Sequence, residues 1–259
     1  MKRILAIIGL AAFPLAGVQA QVLVNALNTA FTQNFDGLGT SSVSWVDNST
    51  LTGWYMNSSS TNTTLTASHG NSTTGTVYNF GLASGSDRAL GYIGSGTNSY
   101  TNFFVRLTNT TGVTITTLDV SYDGELWRSG GVQPADSNNI FTFSYVTDSP
   151  TLPVNGSQAG WTPEPTLKYA PSVSVVAGAQ TGVATSLSVS ITGLSLANNT
   201  DIYLRWYGND GAGTDAGLGI DNFSVTAVPE PKTWGLIGAA FLLWNLLRKR
   251  GLPALPQTS

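Results

Sequence analysis

The chain reads as an all-β protein: an antiparallel β-sandwich, jelly-roll-like in its expected topology, with one apolar transmembrane helix added at the C-terminus. Three observations predict this. Charged residues make up only 10% of the 259 residues and aromatics another 10%, with Ser, Thr, Asn and Gly throughout, a mix suited to pleated, half-buried strands. Short apolar–polar alternations recur between turn residues. Between residues 21 and 227 no stretch carries apolar residues at the spacing of an amphipathic helix.

Each expected element has its own signal. Residues 21–35 offer one or two short strands that close at Asn34, Phe35, Asp36 and Gly37, where Asp-Gly marks a turn. Residues 43–55 place Trp45, Trp54 and Tyr55 around a polar turn at Asp47, Asn48 and Ser49. Residues 57–76 are nearly all Ser, Thr, Asn and Gly, with Leu65 and Ala67 as apolar exceptions, and predict a solvated loop or edge hairpin. Residues 103–107 form a short apolar strand with Arg106 facing outward. Residues 113–122 alternate with a phase slip near Thr117, which predicts a bulge or bend. Further on, Phe141, Phe143 and Tyr145 share one strand face, as do Leu187, Val189 and Ile191. Ile202, Leu204 and Trp206 alternate with Tyr203, Arg205 and Tyr207, and Phe223, Val225 and Ala227 line a last strand. With no internal repeat and no linker, residues 21–227 make one domain.

The two ends are topogenic. In residues 1–20, Lys2 and Arg3 precede an apolar run, and Val18-Gln19-Ala20 is a small-x-small site, so cleavage is expected between Ala20 and Gln21. At the other end Val228, Pro229, Glu230 and Pro231 form a stiff extended spacer, because each proline fixes its own φ and biases the preceding residue toward extension. Residues 234–247 are apolar on every face except at Asn245. Fourteen helical residues rise about 21 Å, against a hydrocarbon core of about 30 Å. Lys232 and the stop at Arg248, Lys249 and Arg250 can snorkel to cover the difference. A helix without a polar face must be covered all round, and nothing else in the chain reads as helical enough to do so; a membrane span is therefore expected over a buried core helix. The basic stop orients residues 251–259 to the cytoplasm and the acidic body outward.

In their order, the Val228-Pro229-Glu230-Pro231 motif, the apolar helix and the basic cluster resemble the PEP-CTERM sorting signal of bacterial surface and secreted proteins. The resemblance implies recognition at the inner membrane by an exosortase, a membrane-embedded cysteine transpeptidase that cuts near the motif. Residues 251–259 depart from it, since members usually end soon after the basic residues. A second resemblance is local: Asn34-Phe35-Asp36-Gly37-Leu38 and Leu218-Gly219-Ile220-Asp221-Asn222-Phe223-Ser224-Val225 are similar to the first and last strands of jelly-roll ectodomains in other PEP-CTERM proteins and of some carbohydrate-binding jelly rolls. It implies a binding or structural fold whose terminal strands are neighbours.

Charge excludes one class of partner. Six of the eleven bases lie at the topogenic ends, whereas thirteen of the fourteen acids lie in the body, which carries a net charge of −8. Phosphate backbones are held by dense Lys and Arg, so nucleic acid is not an expected partner. The absence of cysteine removes disulfides, thiol catalysis and thiolate metal sites.

Candidate chemistry is sparse. Asn209-Asp210-Gly211-Ala212-Gly213-Thr214-Asp215, followed by Asp221, supplies carboxylates and carbonyls of the kind calcium takes; without the EF-hand spacing or its closing Glu the same residues read more readily as a plain hairpin turn, and no resident metal or cofactor is assigned. Trp54, Trp127, Trp161 and Trp206 are the candidate platforms for sugar rings, against the alternative that they fill the core. A hydrolase would have to use Glu125 or Glu164, or the single His69, and none sits in a catalytic motif. The expectation is an exported, non-enzymatic protein of the cell surface or extracellular matrix, structural or adhesive; the alternatives are a module binding extracellular polysaccharide and a secreted hydrolase.

Overall fold

The structure is a computed structural model describing residues 21–131, 140–147, 159–171 and 176–229. The expected β-sandwich is present, and no α-helix occurs among the described residues. The strands are β1 (Val22–Val24), β2 (Ala30–Gln33), β3 (Val43–Ser44), β4 (Trp54–Ser58), β5 (Thr64–Ser68), β6 (Thr76–Phe80), β7 (Ala89–Ile93), β8 (Tyr100–Asn109), β9 (Thr117–Ser129), β10 (Thr142–Thr147), β11 (Thr162–Pro163), β12 (Gly178–Ile191), β13 (Asp201–Asn209) and β14 (Gly217–Val228). Two single-turn 3₁₀ helices, η1 (Asp36–Leu38) and η2 (Pro165–Leu167), interrupt them.

The first sheet runs β1-β8-β13-β10-β11, with β4 beside β1 on the same flank of β8; the second runs β12-β9-β14-β7-β6-β5-β3, with β2 continuing the flank of β14 that β7 begins. The pairing is antiparallel except for β1 with β8 and β5 with β6, which are parallel. The expectation that the terminal strands are neighbours is met by β2 and not by β1: β2 lies against β14, with Phe223 opposite Gln33, whereas β1 pairs with β8 in the other sheet.

Alternation explains which residues meet between the sheets. Ile202, Leu204 and Trp206 of β13, Phe103, Val105 and Leu107 of β8, and Phe141 and Phe143 enter one core with Leu118, Val120 and Tyr122 of β9 and Phe223, Val225 and Ala227 of β14. At its centre the rings of Trp54 and Trp206 stack 5.5 Å apart at 22°, and Phe223 meets both edge-on. Large aromatic faces bury the most apolar area per residue, and a domain without disulfides relies on that burial.

Three expectations change in detail. Within residues 57–76, β5 is a true strand of the second sheet, because Leu65 drops fully into the core. The phase slip near Thr117 is a break in the strand: Ile115 bridges to Leu196 before β9 begins at Thr117. The last strand runs one residue beyond the expected domain boundary, since Val228 still pairs with Thr117. Residues 1–20, the rest of the sorting segment with Glu230, Pro231, Arg248, Lys249 and Arg250, and residues 251–259 lie outside the described residues.

Candidate functional site

The carboxylates that come together are Asp87, Glu125 and Asp221, whose oxygens all lie within 4.8 Å of one another. Three separate pieces of chain deliver them: the approach to β7, the middle of β9 and a bulge in β14. The bulge is a register shift between Asp221 and Ser224 on the β9–β14 ladder, with Asn222 in the left-handed region at φ 48°. One extra residue lets Ile220 and Phe223 both face the core although they are three apart, while Asp221 joins the carboxylates. Asn222 is held by its Nδ2, which donates to Asp123 Oδ2 at 3.0 Å, and its backbone N–H donates to Asp221 Oδ1 at 2.6 Å. Asp36, at the start of η1, is close enough to add to the negative field at Asp221; it accepts from the Arg88 backbone N–H at 3.1 Å and from Asn34 Nδ2 at 2.8 Å.

The site is open only at Asp87, which is exposed; Glu125 and Asp221 are only 5% and 1% exposed, which leaves no room for a sugar ring between them. Burial pushes the Glu125 carboxyl up to about 7, against the pull of the Trp127 indole N–H that donates to it at 2.7 Å, and Asp87 and Asp123 push it further. Burial likewise pushes Asp221 up to about 8, with Glu125, Asp87 and Asp36 adding repulsion. Calcium binds oxygens at 2.3–2.6 Å, so its ligand oxygens can stand no more than roughly 5 Å apart. One oxygen from each of the three acids meets that bound, and such a cation would supply the positive charge that the cluster lacks.

This corrects the sequence reading of Asp210, Asp215 and Asp221 as one calcium site. Asp221 gathers with Asp87 and Glu125, which come from distant parts of the chain. Asp215 instead is buried beside Gly94, where a side chain would stand 2.3 Å from its Oδ2. Burial and Asp210 push its carboxyl up to about 7.

The four candidate tryptophans separate sharply. Trp54 and Trp206 form the core stack described above, and this corrects their reading as sugar platforms: the inward phase of β4 and β13 leaves neither ring a face for ligand. Trp127 is also buried, 2% exposed, in a second cluster with Tyr78, Phe80, Ala89 and Ile93. The Phe80 and Trp127 rings stack 5.9 Å apart at 7°. Gly91 makes the stack fit, since a Cβ there would stand 2.5 Å from the Phe80 ring.

Trp161 is buried as well, 8% exposed, but it differs from the other three in lining a cleft. With Thr142, Phe143, Ser144, Pro163 and Tyr207 it lines a cleft of about 330 Å³ beside β10 and β13. Its ring lies 4.0 Å from the Arg205 guanidinium carbon, and the Tyr207 ring lies 5.6 Å away. Arg205 Nε donates to Ser144 Oγ at 3.1 Å. Burial lowers the Arg205 pKa to about 10, so the guanidinium stays charged at neutral pH and braces both rings by cation–π attraction. The outward phase of Tyr203, Arg205 and Tyr207 was legible in the alternation; the chain segment that carries Trp161 over Arg205 was not.

The other residues considered for catalysis are structural or exposed. Glu164 caps η2, accepting from the Thr166 backbone N–H at 3.0 Å, and His69 is exposed on the loop after β5. Among the described residues, no helix is long and apolar enough to cross a membrane.

No protein-family model matches the chain, and no curated protein matches it in sequence. Solved structures give distant likenesses. The K2 cleaved adhesin domain of Lys-gingipain is 10% identical, with 76% of this chain and 99% of that one covered at a TM-score of 0.39. The K3 cleaved adhesin domain of Lys-gingipain from Porphyromonas gingivalis w83 is 9% identical, covering 71% and 98% at 0.37. The xylan-binding module CBM15 is 12% identical, covering 74% and 100% at 0.35. At such scores these likenesses carry no weight for what this chain binds, and the architecture rests on its own strand pairings.

Proposed function

We propose that this chain is an exported, non-catalytic surface module, jelly-roll-like in topology, that binds extracellular polysaccharide in the cleft between Trp161 and Tyr207. The observation that carries the reading is the cleft itself: two aromatic rings, braced by one buried guanidinium, beside the hydroxyl-bearing side chains of Thr142 and Ser144. Sugar rings present apolar C–H faces to aromatic rings and hydroxyls to polar neighbours, and a concave site with few polar groups suits them. A hydrolytic role is disfavoured because Glu125 and Asp221 are buried and only Asp87 of the three gathered carboxylates is exposed.

Delivery follows from the chain's ends in the same proposal. Residues 1–20 direct export, and residues 228–250 hold the domain at the inner membrane until an exosortase-type enzyme releases or transfers it to the surface or the medium. The carboxylate cluster contributes rigidity: calcium at Asp87, Glu125 and Asp221 would tie β7, β9 and β14 together.

The test is affinity electrophoresis of the full chain, solubilised in detergent, through gels containing soluble neutral and uronate-bearing polysaccharides. At least one is expected to retard the protein, and Trp161→Ala is expected to weaken that retardation roughly tenfold or more, about 1.4 kcal/mol. No retardation in any gel, or retardation unchanged in Trp161→Ala, overturns the proposal.

A further inference from the structure

The four flanks of the two sheets are not treated alike. On the first sheet β11 is two residues long and ends in Pro163, which has no N–H to offer another strand. The opposite flank is closed by its own loop: the Asn48 backbone N–H donates to Trp54 O at 2.7 Å, and the Met56 N–H donates to Asp47 Oδ1 at 2.9 Å. On the second sheet β3 is two residues long, and Thr50 Oγ1 reaches Ser44 O at 3.4 Å. The last flank is β12, fourteen residues long and mostly exposed.

Exposed edges usually carry Lys, Pro or a bulge that discourages pairing. β12 has a bulge between Ala179 and Val183. Beyond it, residues 183–191 pair without interruption with β9, from Val183 opposite Leu126 to Ile191 opposite Leu118. Those nine residues contain neither a charge nor a proline. The Ser186 and Ser190 hydroxyls donate inward to Asp123 and Asp119 of β9, each at 2.5 Å, so the acids near this edge are already engaged one strand in.

The segment is also close to a palindrome about Leu187. In an antiparallel pairing centred there, Val183 faces Ile191, Ala184 faces Ser190, Thr185 faces Val189, Ser186 faces Ser188, and Leu187 faces its own copy. Each pair is close in size, and Val183 with Ile191, Ser186 with Ser188 and Leu187 with its copy match in polarity too. Odd-numbered residues meet odd-numbered ones, so Leu187, Val189 and Ile191 keep their core-facing side in both copies. A strand that complements its own reverse fits a two-fold, isologous contact.

We infer that two copies of this chain associate edge to edge through β12, antiparallel about Leu187, joining their second sheets into one continuous sheet. The occupant is a second copy because side-chain size reads the same in both directions about Leu187, and because the strand presents no charge to select a different partner.

The chain has no cysteine, so a single introduced one reports geometry directly. Full-length Leu187→Cys, in detergent and under mild oxidation, is expected to give a disulfide-linked dimer. Thr185→Cys alone should not, whereas a mixture of Thr185→Cys and Val189→Cys chains should. Leu82→Cys, exposed elsewhere on the surface, gives the background. In sedimentation, otherwise wild-type chain should show concentration-dependent dimers, and Val183→Lys with Thr185→Lys, both at exposed positions, should raise the dissociation constant at least tenfold with an unchanged Tm. A wild-type chain that stays monomeric, cross-linking no better at Leu187 than at Leu82, or association indifferent to the lysines would each overturn the inference. The outcome is independent of polysaccharide binding, since Trp161 and Tyr207 belong to the other sheet's cleft.

Discussion

Asp221 concentrates the argument at the scale of the residue. Its carboxyl and that of Glu125 are held above the ordinary range, at about 8 and about 7, by burial and by the charge of neighbouring acids, Asp87 among them for both. In the unfolded chain both titrate near 4. Between roughly pH 4 and pH 8 the folded state therefore binds more protons than the unfolded state, and stability falls as pH rises through that window. In a chelator, Tm should be higher at pH 5 than at pH 8, as read by scanning calorimetry. Calcium reverses the trend because its ligands must be deprotonated: at pH 8 a concentration about a hundredfold above Kd should add roughly 2.7 kcal/mol, or about 5–10 °C for a domain of this size. Asp221→Asn should abolish the calcium response. The tryptophans give a second contrast. Trp206→Ala empties the centre of the core and should cost about 3–5 kcal/mol in denaturant melts, whereas Trp161→Ala at the rim should leave most of that stability intact while weakening polysaccharide binding.

Among the elements, β14 does the most. It pairs with β9 along its length and with β7 and then β2 on its other side, so one bulge sets the register of four strands. Asn222 tolerates its positive φ because a short polar side chain is among the few that do so readily. Asn222→Val should cost about 1–3 kcal/mol through backbone strain; Asn222→Gly relieves the strain and should cost clearly less. Equal losses in urea melts would show that the bond to Asp123, not the backbone, holds the bulge. The strands were legible as elements because inward and outward residues alternate along them. β5 was not, because Leu65 is its single fully buried apolar residue and a lone apolar position in a Ser/Thr-rich stretch has no period.

For the whole molecule, the acidic domain and its delivery are separate parts in the proposed reading. The core described above is built from residues 21–229, and residues 234–247 are proposed as a tether. A chain lacking residues 234–247 should therefore be exported and released into the medium, with circular dichroism and Tm unchanged. Mass spectrometry of the mature full-length protein should show cleavage after Ala20 and near the Val228-Pro229-Glu230-Pro231 motif. A truncated protein that remains cell-bound or loses its fold would refute the division of labour between domain and tether.

Local patterning alone determined that this chain is a β-sandwich and which faces of β8, β10, β13 and β14 turn inward. Such features are carried by period-two alternation and turn residues, and both are properties of consecutive positions. Only the tertiary structure decided which carboxylates share a site and which tryptophan reaches a cleft. Asp87, Glu125 and Asp221 come from the approach to β7, from β9 and from β14, far apart in the chain, and are joined by ladder register and one bulge. Trp54, Trp127, Trp161 and Trp206 look alike as letters; strand phase sends Trp54 and Trp206 into the core, while Trp161 is carried to the cleft by the segment before β11.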